Sequence, residues 1–150
     1  MIPDFDVDGN LPPGIHWATW PEFAQRFGIT KHRQKLLGGL QIALDSLSAA
    51  GCRTAYIGGS FVTDKRDPSD FDGCWDTEGM NFELLQIIDP VLLQFTNRRA
   101  AQKAKYYGEL FPAQGGASST NSIFLDFFQI DKETGKNKGI IALDLRESSI

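Results

Sequence analysis

Apolar residues recur along this chain at two periods, which separate predicted helices from predicted strands. Between Thr30 and Gly51, leucines and alanines fall three or four residues apart. This spacing is typical of an amphipathic helix that Thr30 caps and Gly51 ends. Further helices are predicted at about 20–27, 81–96 and 98–110.

Short apolar runs bounded by glycine, proline and polar residues predict the strands. They lie at 53–57, about 70–76, 123–130 and 139–145. The last two runs flank a turn-forming segment and have the pattern of an antiparallel hairpin. Residues 1–15 are predicted to form an extended lead-in, and a loop of small residues is predicted at 115–121.

The order of these elements predicts one α/β domain (in the α+β sense) over residues 1–150. We expect a small, mixed, mostly antiparallel sheet with helices packed mainly on one side. A length of 150 residues with 41% hydrophobic residues suits a single globular core.

Composition argues against several classes of function. No apolar run approaches the ~20 residues that span a bilayer, and residues 1–6 lack the pattern of a signal peptide. We therefore expect a cytoplasmic protein without membrane association. A net charge of −4 disfavours a plain nucleic-acid-binding domain. Cys52 and Cys74 are too few for a disulfide framework and are expected to be reduced.

Candidate chemistry is concentrated where the first of these strands ends. Gly58, Gly59 and Ser60 form a turn whose backbone N–H groups can approach a phosphate, because glycine has no side chain to obstruct it. After nine intervening residues come Asp70 and Asp72, which are expected to lie on one face of a strand. Carboxylates and substrate phosphates are the ligands that magnesium prefers. This spacing predicts a site for phosphate and metal, although a simple turn before a strand would also explain the two acids.

A third carboxylate is expected if two metal ions are bound about 4 Å apart. Asp126 is the candidate, because it stands alone in an apolar run, where an unpaired carboxylate would be costly. Asp131 is the second choice. Lys65 and Arg66, in the loop before the acid pair, are candidates for phosphate binding, with simple solvation as the equal alternative.

A second basic segment lies in the predicted helix at 98–110. Its members are Arg98, Arg99, Lys103 and Lys105. They could meet a triphosphate or an RNA acceptor, but they do not share one helical face, so a solvated surface is the favoured interpretation.

The glycine turn and acid pair match a known signature: a hydrophobic residue, Gly-Gly or Gly-Ser, a gap, then acid–hydrophobic–acid. The matching residues are Ile57, Gly58, Gly59, Ser60, Asp70, Phe71 and Asp72. The chain thus resembles the nucleotidyltransferase superfamily related to DNA polymerase β. It also resembles, over nearly its whole length, a small prokaryotic family of nucleotidyltransferase-like proteins of unknown function. That second resemblance rests on the segments 11–16 and 59–63.

The resemblance implies a magnesium-dependent transfer of a nucleoside monophosphate from an NTP to a hydroxyl on a protein, RNA or small molecule. Gly59 and Ser60 would hold the β- and γ-phosphates, and Asp70 and Asp72 would bind two Mg²⁺ ions. Asp126 would help to lower the pKa of the acceptor hydroxyl. Such small transferases commonly work with a second chain, so the resemblance also implies a cognate partner protein, as in a toxin–antitoxin or defence pair.

One departure from the signature is Gly73, because glycine weakens a strand. The alternative function is a catalytically silent nucleotidyltransferase-like module that binds a partner protein or a nucleotide. The position of Asp126 relative to the acid pair is expected to distinguish the two.

Overall fold

The computed structural model describes residues 1–116 and 123–146. Within these residues, five strands form one mixed sheet in the order β1-β5-β2-β3-β4. The strands are β1 (Gly14–Ala18), β2 (Thr54–Gly58), β3 (Phe71–Trp75), β4 (Gly108–Pro112) and β5 (Gly139–Asp144). The central strand β2 is antiparallel to both of its neighbours, whereas β1 runs parallel to β5 and β4 runs parallel to β3.

The helices surround this sheet unequally. They are α1 (Trp20–Phe27), α2 (Lys31–Ala49), α3 (Phe82–Ile88), α4 (Thr96–Tyr106) and α5 (Phe124–Phe127), with 3-10 turns at Gly59–Val62 and Pro90–Leu93. The hydroxyl of Thr30 accepts a hydrogen bond from the Arg33 N–H at 3.0 Å, so the predicted cap of α2 is confirmed. No helix in the described ranges is long and apolar enough to cross a membrane.

The main core lies between one face of the sheet and the first four helices. Phe71 and Trp75 of β3 pack there with Phe23 of α1 and Leu40 of α2. The opposite face carries a smaller cluster around Cys74 and Phe128, covered by α5 and its aromatic neighbours. The predicted α/β class, with a mixed sheet and helices mainly on one side, is confirmed.

The predicted strand at 123–130 is wrong. This segment forms the one-turn helix α5 followed by a turn, and the rings of Phe124 and Phe128 stack one helical turn apart at 6.2 Å. A short aromatic run has no period that separates a buried strand from a buried helical turn. The predicted hairpin is also wrong, because β5 pairs with β1 and β2.

Three other boundaries differ from the prediction. The helix predicted at 81–96 ends at Ile88, and the 3-10 turn Pro90–Leu93 follows it. The helix predicted at 98–110 ends at Tyr106, because Tyr107 adopts a left-handed conformation with φ of 68° and Gly108 begins β4. The predicted lead-in at 1–15 contains the start of an edge strand, since β1 begins at Gly14. Most of the predicted loop at 115–121 lies outside the described residues.

Candidate functional site

The glycine turn lies directly against one member of the acid pair. Strand β2 ends at Gly58, and Gly59 has a φ of 68°, a conformation that favours glycine. A β-carbon at Gly59 would lie only 2.6 Å from Oδ2 of Asp72. The turn backbone and the carboxylate are therefore so close that any side chain at position 59 would displace one of them.

A buried arginine holds the segment that follows this turn. Arg33 of α2 is only 1% exposed. One of its terminal nitrogens, Nη1, donates hydrogen bonds to Phe61 O at 2.7 Å and Phe27 O at 3.2 Å. The other, Nη2, donates to Thr63 O at 3.0 Å and also to Lys65 O. Carbonyl dipoles thus compensate a buried charge and tie the turn to α2.

The acid pair gains a third carboxylate from β4. Asp72 is paired with Gly58 on one side and with Glu109 on the other in the sheet register. Burial raises the pKa of Asp72 to about 7, and the negative charges of Asp70 and Glu109 add to this effect. Burial and then Glu109 also raise the pKa of Asp70. The three carboxylates therefore share one electrostatic environment at this end of the sheet.

Glu109 was not predicted as a site residue, because residue 109 lies within the helix predicted at 98–110. The available signal was the short Gly-Glu-Leu-Phe-Pro run, in which a lone acid stands between apolar residues as Asp72 does in β3.

Basic side chains surround the three carboxylates. Glu109 Oε1 accepts a hydrogen bond from Arg99 Nη2 at 3.2 Å and forms an ion pair with Lys103 Nζ at 2.9 Å. The charges of Lys103, Lys132 and Lys65 each act to lower the pKa of Asp70 against the larger effect of burial. Lys65 thus lies close enough to influence the site, as its predicted phosphate-binding role requires.

The remaining candidate of that loop, Arg66, is exposed. Lys132, which the sequence analysis did not single out, also acts to lower the pKa of Asp72.

The structure places Asp126 differently from the expectation of a buried strand acid. It is an exposed residue of α5 and lines a cavity of about 260 Å³ together with Gln129 and Lys138. The carboxylates that raise the pKa of Asp72 are Asp70 and Glu109. Asp131, the second choice, accepts a hydrogen bond from Asn10 Nδ2 at 3.1 Å, at the end of a turn.

The donor set suits a hard cation. Carboxylate oxygens are the ligands that Mg²⁺ prefers. The raised pKa of Asp72 reflects burial first and then the negative charges of Asp70 and Glu109, which a cation would relieve. Across residues 1–116 and 123–146, no three His, Cys, Asp or Glu side chains are arranged around a common ion position. The residues fit a metal by chemistry, with Asp70 and Asp72 as its natural ligands.

Packing explains the residue types at Gly73 and Cys74, which directly follow the acid pair. A β-carbon at Gly73 would lie 2.4 Å from Tyr56 O, so glycine permits the close approach of β2 and β3. Cys74 is fully buried, and burial raises the pKa of its thiol to about 12. It therefore remains a neutral thiol and packs as a small apolar residue.

Comparison with known proteins identifies a family without a known activity. No curated protein and no solved structure matches the chain. A model described as a family of unknown function, DUF6932, matches residues 3–144. Because this match spans nearly the whole chain, the protein belongs to the DUF6932 family.

Proposed function

We propose that this protein is a magnesium-dependent nucleotidyltransferase that moves a nucleoside monophosphate from an NTP to an acceptor hydroxyl. The observation that carries the proposal is the contact between the Gly59 backbone and the carboxylate of Asp72. It brings a turn suited to phosphate binding and carboxylates suited to Mg²⁺ to the same end of the sheet.

Each part of the site has a role in this reaction. The backbone of Gly59 and Ser60 binds the triphosphate, and the positive charges of Lys65 and Lys132 attract it. Asp70 and Asp72 hold Mg²⁺, which when bound supplies charge neutralisation and lowers the pKa of the acceptor hydroxyl.

The chemistry is a single displacement at phosphorus. The acceptor oxygen forms a bond to the α-phosphorus, the bond from that phosphorus to the bridging oxygen breaks, and pyrophosphate leaves. The hydroxyl proton passes to a carboxylate of the site or to water.

Calorimetric titration with ATP, CTP, GTP and UTP, with and without Mg²⁺, tests the proposal. We expect Mg²⁺-dependent binding of at least one nucleotide, lost in Asp70→Asn and in Asp72→Asn. Asp45→Asn is the matched control, because Asp45 is an exposed acid on α2. Equal nucleotide binding in the wild type and in both site variants would contradict the proposal.

The third carboxylate is tested by a pair of variants. We assign it to Glu109, which faces Asp72 across β3 and β4, in preference to Asp126. Glu109→Gln is therefore expected to reduce NTP-dependent pyrophosphate release by about 100-fold or more, whereas Asp126→Asn leaves it unchanged. The reverse result would restore the assignment made from the sequence.

Two observations favour the alternative of a catalytically silent module. Asp126, whose position was expected to distinguish the two functions, is not among the carboxylates that act on Asp72. Glu109 is already neutralised by Lys103 and Arg99, so the site is partly satisfied without a metal ion. A silent module would bind a nucleotide equally well with and without Mg²⁺ and would release no pyrophosphate. The acceptor, whether protein, RNA or small molecule, and any cognate partner protein can then be sought by capture on the wild-type chain and on Asp72→Asn.

A further inference from the structure

A second cavity adjoins the acid pair on the side of Asp70. It has a volume of about 230 Å³ and lies between the start of α2, the loop before β3 and the end of α4. Its lining includes His32, Lys35, Ser69, Asp70, Lys103 and Tyr107. Asp70 is thus shared between this cavity and the carboxylate cluster, whereas the glycine turn does not line it.

The lining is rich in groups that bind a phosphate. Lys35 and Lys103 contribute two ammonium groups, of which that of Lys103 also pairs with Glu109 at 2.9 Å, and Ser69 contributes a hydroxyl. Two lysines around one cavity are notable in a chain of net charge −4. Charge-assisted hydrogen bonds from such groups are among the strongest that a protein offers an anion.

The rest of the lining suits the organic part of a ligand. The Nζ atom of Lys35 lies 4.8 Å from the centre of the Tyr107 ring, so ring and cation form one continuous wall. His32 is fixed by a 2.5 Å hydrogen bond between its Nε2 and Pro68 O. A cavity of this size accommodates a phosphorylated sugar more readily than a phosphate alone.

The backbone around the cavity is held in a costly conformation. Tyr107 has a φ of 68°, which is unfavourable for a residue with a side chain. A β-carbon at Gly39 would lie 1.9 Å from Tyr106 O, so glycine in α2 allows the end of α4 to pack against it. Strained non-glycine residues cluster at functional sites. Tyr107 ends α4 in this conformation, and its side chain lines the cavity.

We propose that this cavity is the acceptor subsite and that it binds the phosphate of a phosphorylated, hydroxyl-bearing acceptor. Lys35 and Lys103 bind the phosphate, and Tyr107 packs against the sugar or base. The hydroxyl of the acceptor then lies beside Asp70. Assignment as the acceptor subsite rests on the proposed function, whereas phosphate-ester binding does not.

Chemical-shift titration of the ¹⁵N-labelled protein with ribose 5-phosphate, at constant ionic strength, tests this inference. We expect saturable shifts at the amides of Ser69, Asp70 and Tyr107. Lys35→Gln should weaken binding by about tenfold or more, the loss expected for one charge-assisted hydrogen bond. Lys31→Gln is the matched control, because Lys31 is an exposed lysine one turn earlier on α2 and outside the cavity. No shifts at these amides, or equal losses in both variants, would overturn the site.

Competition with a non-hydrolysable ATP analogue and Mg²⁺ shows whether the cavity binds the phosphate of an acceptor or the phosphates of the nucleotide. Retention of the bound ester in the presence of the analogue supports an acceptor subsite. Displacement of the ester would show that the cavity holds the triphosphate itself and would overturn the acceptor assignment. If the ester binds but no NTP does, the acceptor role falls together with the proposed function. If an NTP binds but the ester does not, only this inference falls.

Discussion

Asp72 and Asp89 are two inward-facing carboxylates with opposite electrostatic environments. Asp89 is 2% exposed at the end of α3, where it accepts hydrogen bonds from Lys105 Nζ at 2.8 Å and Ser46 Oγ at 2.9 Å. Burial alone would raise the pKa of Asp89, but these hydrogen bonds outweigh it and the pKa is lowered. Asp72 instead faces Asp70 and Glu109, and its pKa is raised to about 7.

The difference separates a structural acid from a candidate functional one. Asp89 is ionised and paired within the fold, so its charge stabilises the native state. Asp72 lies buried among like charges that disfavour its ionised form, and an added cation would relieve them. Perturbed carboxylates of this second kind are concentrated at functional sites.

The largest expected effect concerns the pH dependence of stability. Because the pKa of Asp72 is about 7 in the folded protein and near 3.8 when unfolded, the folded state binds more protons between these values. The free energy of unfolding should therefore fall as pH rises from about 4 to 7, by on the order of 3 kcal/mol from this group. Urea unfolding across this range should show a steeper decline in the wild type than in Asp72→Asn, in which the raised pKa of Asp70 still contributes. Parallel profiles for the two proteins would mean that Asp72 is not the titrating group.

Replacing aspartate by asparagine should change the free energy of unfolding in opposite directions at Asp89 and at Asp72. Asp89→Asn removes the charge that Lys105 and Ser46 stabilise, and we expect a loss of about 2 kcal/mol at neutral pH. At pH 8, Asp72→Asn should stabilise the protein because it removes crowded negative charge. Thermal unfolding of both variants at pH 8 measures the contrast, which disappears if both changes destabilise equally.

The smallest effects distinguish two lysines of α4. Lys105→Met removes the partner of Asp89, and because Lys105 is 44% exposed, solvent screening limits the expected loss to about 1 kcal/mol. Lys103→Met removes one of two cations from Glu109, and Arg99 remains. This second change should leave stability nearly unchanged but tighten Mg²⁺ binding, since one competing cation is removed. Calorimetry with Mg²⁺ alone tests it, and weaker binding would contradict the assigned competition.

The sequence predicted the parts of the molecule that depend on local signals. Helix α2 has a cap and a long apolar period, and the turn at Gly59 has a glycine where the backbone requires one. Asp70 and Asp72 followed from their spacing after this turn.

The parts that depend on distant pairing were not predicted. Glu109 reaches Asp72 only because β4 aligns with β3 in parallel, and no local pattern specifies that register. Asp126 was placed in a strand because an aromatic run of eight residues, 123–130, can form a strand or a helical turn, and tertiary packing decides between them. Strand β1 was missed for a similar reason, since its pairing with β5 is not evident in residues 1–15 themselves.

The pairing of β1 with β5 has a consequence for how the chain folds during synthesis. Gly14 pairs with Gly139 and Ala18 with Leu143, so a segment that is synthesised early can pair only after a segment that is synthesised late. Until β5 leaves the ribosome, β2 lacks one of its two neighbours and the apolar residues Ile140–Leu143 cannot cover it. Such distant pairing slows folding and prolongs the exposure of strand edges to aggregation.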